Sequence, residues 1–188
     1  MAAIGLLFLW PVLLITAILV KVKMPGGPAF FVQKRVGKGG KLFDCHKFRT
    51  MTVKHNGSTV SVAGDGRITP LGAKLRHYKL DELPGLWDVL IGNMSFVGPR
   101  PEVRHYVDYW TLEQMHVLDV RPGITDPASI KFRNENELME QTEAPEKYYI
   151  EVIMQEKIKL YLEYVEKHSF LYDIGLIFKT FWVIVKER

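Results

Sequence analysis

The sequence predicts a small mixed α/β domain seated on a membrane, and three observations carry that prediction. Residues 2–20 (AAIGLLFLWPVLLITAILV) hold no charged side chain. Two runs suited to β-strands, 29–35 and 42–48, flank a glycine-rich turn at 37–40. Beyond them, apolar residues recur at helical spacing in several segments, some opened by a cap residue or a proline. With 47% hydrophobic content in 188 residues, one compact domain (24–188) is left once the apolar segment (1–23) is set aside.

At about 1.5 Å per residue the apolar segment nearly crosses a hydrocarbon core of about 30 Å. No basic stretch precedes it, and Lys21 and Lys23 follow where a cleavable leader would place small residues. It therefore reads as retained. Pro11, next to Trp10, stands at its centre and removes a backbone hydrogen bond. The segment should then bend sharply, either as a kinked span or as two arms that re-enter the face they left. From Lys21 to Lys54 seven Lys and two Arg stand against the single Asp44, a density suited to the anionic lipids of the cytoplasmic leaflet. The domain is expected on the cytoplasmic side.

Further along, the turn at 37–40 contains GKGGK, but no Ser or Thr follows the lysine, so it reads as a hairpin turn and not a P-loop. Residues 52–66 are polar and rich in turn formers, which predicts a mobile surface loop; its Asn56–Ser58 sequon has no use on the cytoplasmic side. Thr69 and Pro70 predict a cap and first residue for a helix to about Tyr78, bearing Lys74, Arg76 and His77. Pro145 opens another helix, to about Lys167. Residues 170–185 mix Phe181, Trp182 and other aromatics with Asp173 and Lys179, too polar to span but suited either to an interface or to packing on the domain's own core.

Between these lies the feature that points to chemistry. Leu83, Leu86, Trp87, Leu90 and Ile91 form the apolar stripe of a short helix stopped by Gly92, which puts Asp81 at its N-cap with Glu82 alongside. At a cap the backbone is not yet helical, so both carboxylates can turn to one site, and the helix dipole would hold Asp81 ionised. Arginines recur at stiff or terminal positions: Arg100 in VGPRPE, Arg121 in RPGIT, and Arg35, Arg49, Arg76 and Arg133 near turns or element ends. Guanidinium forks beside two carboxylates are what a pyrophosphate substrate requires, the carboxylates serving magnesium or nucleophilic attack.

Other classes are excluded or disfavoured. The lone Cys45 rules out an internal disulfide, and the six histidines show no close pairing of the kind a zinc site needs. A net charge of +4 without interleaved stacking aromatics gives no case for nucleic acid. Glu135, Glu137, Glu140, Glu143 and Glu146 read as a solvated face.

KFRTM at 47–51, LDELP at 80–84, MSFVGPRP at 94–101 and RPGIT at 121–125 resemble, in order, the motifs of the bacterial sugar transferase family. These are monotopic phosphoglycosyl transferases of bacterial inner membranes. The resemblance implies transfer of a sugar 1-phosphate from a UDP-linked donor to undecaprenyl phosphate with release of UMP, an early step of glycan or exopolysaccharide assembly. It implies Asp81 as nucleophile, Glu82 as its partner, both near Mg2+, and a small α/β fold on a re-entrant hairpin. Lys47, from the same motif as Arg49, joins the arginines as an expected substrate contact. The chain departs from the family's pattern at Trp10 (commonly Ser), Gly85 (often Gln) and Asp126-Pro127 (usually Gly-Trp), and its abrupt start suggests a truncation.

Physics and resemblance together select the re-entrant topology, since each arm beside Pro11 is too short to cross a bilayer alone. Against this reading stand an anchored binding protein without activity and another membrane phosphoryl-transfer enzyme such as a pyrophosphatase. A homo-oligomer is left open.

Overall fold

The computed structural model describes residues 2–53 and 65–186. Helix α1 (Ala2–Lys23) leads into an antiparallel hairpin, β1 (Phe30–Val36) and β2 (Leu42–Phe48), in register from Phe30 opposite Phe48 to Val36 opposite Leu42. The tip is a 3-10 turn, Lys38–Gly40. Helix α2 (Pro70–His77) starts at Thr69, whose hydroxyl accepts from the amide of Gly72 at 3.0 Å, as the Thr-Pro signal predicts. Then come α3 (Gly85–Leu90), β3 (Ser95–Val97), α4 (Arg104–Val107), β4 (Gly123–Thr125), α5 (Pro127–Lys131), α6 (Glu135–Glu140) and α7 (Pro145–Tyr148). A π-helical turn (Tyr149–Ile153) joins α7 to α8 (Met154–Lys167), and α9 (Phe170–Lys186) follows. Strands β3 and β4 pair in parallel, Ser95 with Gly123 and Val97 with Thr125. Among the described residues the fold thus has two small sheets within a mainly helical frame, a mixed α/β domain as expected.

The main core is helical. Tyr161, Ile153, Met154 and Ile158 are almost wholly buried against Val107 and Met139. At about 1.5–3 kcal/mol for each large apolar side chain, this cluster dominates the stability of the frame. A second cluster, Val20 and Met24 with Phe48 and Leu75, fastens the end of α1 to β2 and α2.

Three expectations are corrected. First, α1 is one helix from Ala2 to Lys23 with Pro11 inside it, not two arms separated by a break. A proline costs one hydrogen bond and a local clash, which a helix can absorb by bending without ending. The helix touches the domain near both ends: a methyl placed on Gly5 would lie 3.8 Å from Leu86 Cδ1, and Val20 is fully buried. Second, Asp81 does not cap α3. It lies inside a separate 3-10 turn, Leu80–Glu82, entered through Lys79 in the left-handed region (φ 55°). Third, the stripe of α3 divides, with Leu86 buried while Trp87, Leu90 and Ile91 are exposed, and the side chain packed inward is that of Asp88.

The long helix from Pro145 is found, interrupted only by its π turn. The polar segment and its sequon fall mainly on 54–64, outside the described residues. Thr52 N donates to Arg67 O and Thr69 N to Thr50 O, so the chain on either side of it is drawn together. Phe181 and Trp182 are exposed with Phe170, Leu171 and Phe178 on α9, whereas Leu176 on its other side is buried with Val97 and Tyr164. That helix both packs on the domain and presents aromatics outward. On α1, Trp10, Leu7 and Phe8 are likewise exposed.

Candidate active site

A small, partly open cleft lies along the edge of β2. Its walls include Arg35, His46 and Lys47 from the hairpin, Glu82 from the 3-10 turn, Gly85 from α3, and Arg100 from the loop after β3. Two glycines set that loop. A methyl on Gly123 would lie 2.1 Å from Gly98 N, and Gly98 has φ +159°, so the GPR and PGI segments meet backbone to backbone where no side chain fits. This close approach aims Arg100 at the acidic pair. Gly85, by contrast, leaves room: a methyl there would stand 3.8 Å from Ile124 Cγ1, in ordinary contact.

Glu82 lines the cleft, and its Oε1 accepts from Lys47 Nζ at 2.8 Å and from Arg100 Nη2 at 2.5 Å. Burial works to raise its proton affinity, but the two cations outweigh burial and hold the carboxyl well below the usual carboxylate range. Arg100 is in turn held well above its ordinary value by Glu82. Lys47 is lowered, by burial first and then by Arg100.

Asp81 stands in a different setting. It is buried, it is not part of the cleft wall, and its Oδ1 has no hydrogen-bond partner. Burial and then the charge of Glu82 raise its proton affinity, against weaker opposing pulls from Lys47, Lys79 and Arg76. The expectation that a helix dipole holds it ionised therefore fails, because the turn Leu80–Glu82 precedes α3 and Asp81 accepts nothing from its amides.

The cations expected at the site divide into groups. Lys47, Arg100 and Arg35 line the cleft; Arg35 is steadied by Gln33 Oε1 and the carbonyl of Pro101, each at 3.0 Å. Arg76 donates to Thr50 Oγ1 at 3.0 Å and acts on Asp81 from outside the cleft wall. Arg49 is spent on backbone carbonyls, Pro28 O at 2.7 Å and Met24 O, so it ties the exit of α1 to the hairpin. Arg133 donates to Val183 O at 2.5 Å and braces α9. Arg121 is exposed and not in the wall.

The structure also adds residues that motif spacing missed. Asp88, fully buried, receives the backbone amide of His46 at 2.9 Å and meets His46 Nδ1 at 2.7 Å. The one available signal was a carboxylate among the apolar positions of α3, beside a histidine that directly precedes KFRTM. Asp126, where the family usually has Gly, is buried as the cap of α5, taking Ser129 N at 2.8 Å.

Could the pair hold magnesium? No group of three or more His, Cys, Asp or Glu able to hold a metal exists among the described residues. Mg2+ often uses only one or two carboxylates and takes its other ligands from water and substrate phosphates. The unpartnered Asp81 oxygen beside Glu82 fits that hard-oxygen, two-carboxylate pattern.

Comparison with known proteins decides the family. The bacterial sugar transferase profile matches residues 1–187. The chain belongs to the bacterial sugar transferase family. Among its relatives are two proteins named UDP-glucose:undecaprenyl-phosphate glucose-1-phosphate transferase. One, from Xanthomonas campestris pv. campestris, is 37% identical over 187 residues, covering 96% of this chain and 36% of the relative. The other, from Escherichia coli (strain K12), is 38% identical over 186 residues, covering 96% and 37%. A UDP-N-acetylgalactosamine-undecaprenyl-phosphate N-acetylgalactosaminephosphotransferase from Aeromonas hydrophila is 41% identical over 134 residues, covering 69% and 31%. This sugar transferase chain therefore spans about a third of the length of these relatives.

Proposed function

We propose that this sugar transferase moves a sugar 1-phosphate from a UDP-sugar to undecaprenyl phosphate through an aspartyl-phosphosugar intermediate. One observation carries the proposal. Two adjacent carboxylates lie in opposite environments, Glu82 fixed by Lys47 and Arg100 and Asp81 with an unpartnered oxygen. The first is suited to stay an anion that arranges cations; the second is the free nucleophile.

Lys47, Arg100 and Arg35 would receive the donor diphosphate in the cleft and neutralise its developing charge. Asp81 Oδ1 then bonds to the sugar-bearing phosphorus while the bond to UMP breaks. Because Asp81 is not in the cleft wall, the turn Leu80–Glu82 would have to shift to deliver it. Mg2+ held by Asp81, Glu82 and the donor phosphates would supply further charge neutralisation. In the second half, the lipid phosphate attacks the same phosphorus and frees Asp81.

The membrane reading rests on α1 and α9. Helix α1 is long and apolar enough to cross a membrane, yet Ala2 and Gly5 near its start lie against the domain. A start held against the domain favours insertion into the leaflet on the domain's side, with both ends cytoplasmic and Pro11 permitting the bend. Intact-mass measurement after incubation with a panel of UDP-sugars tests the chemistry. A gain equal to one phosphosugar, lost on adding undecaprenyl phosphate, is expected; UMP release with no adduct overturns the covalent route.

A further inference from the structure

In the second half of the reaction a proton has to go somewhere. A lipid phosphate monoester holds its second proton up to about pH 6, and its attacking oxygen is a better nucleophile once that proton is gone. Glu82 is poorly placed to take it, because its Oε1 already accepts from Lys47 and Arg100. His46 lines the same cleft with 28% of its side chain exposed. The wholly buried Asp88 carboxylate grips it twice, one oxygen on the backbone amide at 2.9 Å and the other on Nδ1 at 2.7 Å. That grip places the proton of a neutral imidazole on Nδ1 and leaves Nε2, which has no partner among the described residues, as a free acceptor.

We infer that His46, oriented by Asp88, is the proton acceptor for the incoming lipid phosphate. The inference rests on the proposed reaction and adds a residue to it. The proton passes from the phosphate hydroxyl to Nε2, and the freed oxygen pair forms a bond to the phosphorus of the Asp81 adduct. The bond from that phosphorus to the Asp81 oxygen breaks, its electrons returning to the carboxylate, and the imidazolium gives its proton to water. Charged and titratable groups around His46 are Asp88 from α3, Glu82 from the 3-10 turn, Arg35 from β1, Arg100 from the loop after β3, and Cys45 and Lys47 on its own strand.

The test separates the half-reactions in the full chain, reconstituted in lipid nanodiscs with Mg2+. UMP release is followed with UDP-sugar alone, and transfer with undecaprenyl phosphate added to preformed adduct. For His46→Gln, release should stay within about twofold while transfer falls at least about tenfold at pH 6. The deficit should close by about pH 8.5, where the lipid phosphate has lost its proton unaided. Asp88→Asn, which keeps the shape but loses the charge, should show a smaller deficit with the same pH trend. Equal loss in both half-reactions, or a transfer deficit constant with pH in both variants, overturns the assignment. No UMP release from the unsubstituted protein with any UDP-sugar overturns the reaction beneath it.

Discussion

Around Glu82 the fold gathers Lys47 and Arg100 within hydrogen-bond reach, while around Asp81, one residue earlier, it leaves a buried oxygen with no partner. The two share a 3-10 turn and the upward push of burial, but Arg100 and Lys47 outweigh burial at Glu82, whereas at Asp81 burial and the charge of Glu82 prevail over the nearby cations. Two chemically similar groups can thus divide a task when strands and loops, not the local helix, decide what surrounds each. The Glu82 side is built by β2 and by the loop that the Gly98–Gly123 contact fixes; on the Asp81 side a buried carboxylate oxygen is left without a partner.

Asp81→Asn is the strongest way to break the contrast. Turnover should fall by at least about 10³-fold and the phosphosugar adduct should vanish from the mass spectrum. The same variant should melt a few degrees higher at neutral pH. The sign follows from the raised proton affinity: the folded state favours protonated Asp81, a contribution present in acid and lost as pH rises through the folded value, so an amide removes a cost at neutral pH. The gain should shrink as the melt is taken into acid.

Next in size is Arg100→Lys, which keeps the charge but removes the fork. KM for the UDP-sugar should rise, or kcat fall, about tenfold, equivalent to about 1.4 kcal/mol. Glu82→Gln sharpens the comparison from the other side. Without the neighbouring anion Asp81 ionises at lower pH, so the acid limb of adduct formation should move down even though the maximum rate drops. Stability should fall at neutral pH, since the depressed value of Glu82 contributes above its unfolded range and is lost only as pH drops through the folded one. Smallest of all, Arg121→Lys should change kinetics by less than about twofold, because Arg121 stands outside the cleft wall. A tenfold effect there would show that the donor site extends past the cleft.

Local signals in the chain were legible where one residue type does one job. The Thr69-Pro70 cap, the hairpin and the apolar α1 follow from hydroxyl capping, strand patterning and absence of charge. The acidic pair was legible as a pair. Its two environments were not, because they depend on residues 35 positions before it and 18 after it. Arg49 shows another limit: its motif suggests a phosphate ligand, and nothing in the sequence signals that its guanidinium bonds carbonyls at the exit of α1. Such carbonyls have no sequence signature. His46 and Asp88 escaped for the same reason, being 42 residues apart and joined only once α3 closes on the edge of β2.

The outward faces of α1 and α9 have a kinetic consequence. With Leu7, Phe8, Phe178 and Trp182 all more than half exposed, the protein's favourable resting place is a water–lipid boundary. Under the proposed transfer to a lipid phosphate, a catalyst kept in that plane would meet its acceptor by two-dimensional search, and the encounter rate would scale with lipid per unit of membrane area instead of per volume of cell. Diluting the acceptor with inert lipid should therefore slow the proposed transfer, whereas diluting the whole suspension of vesicles with buffer that holds the UDP-sugar concentration fixed should leave turnover per protein nearly unchanged.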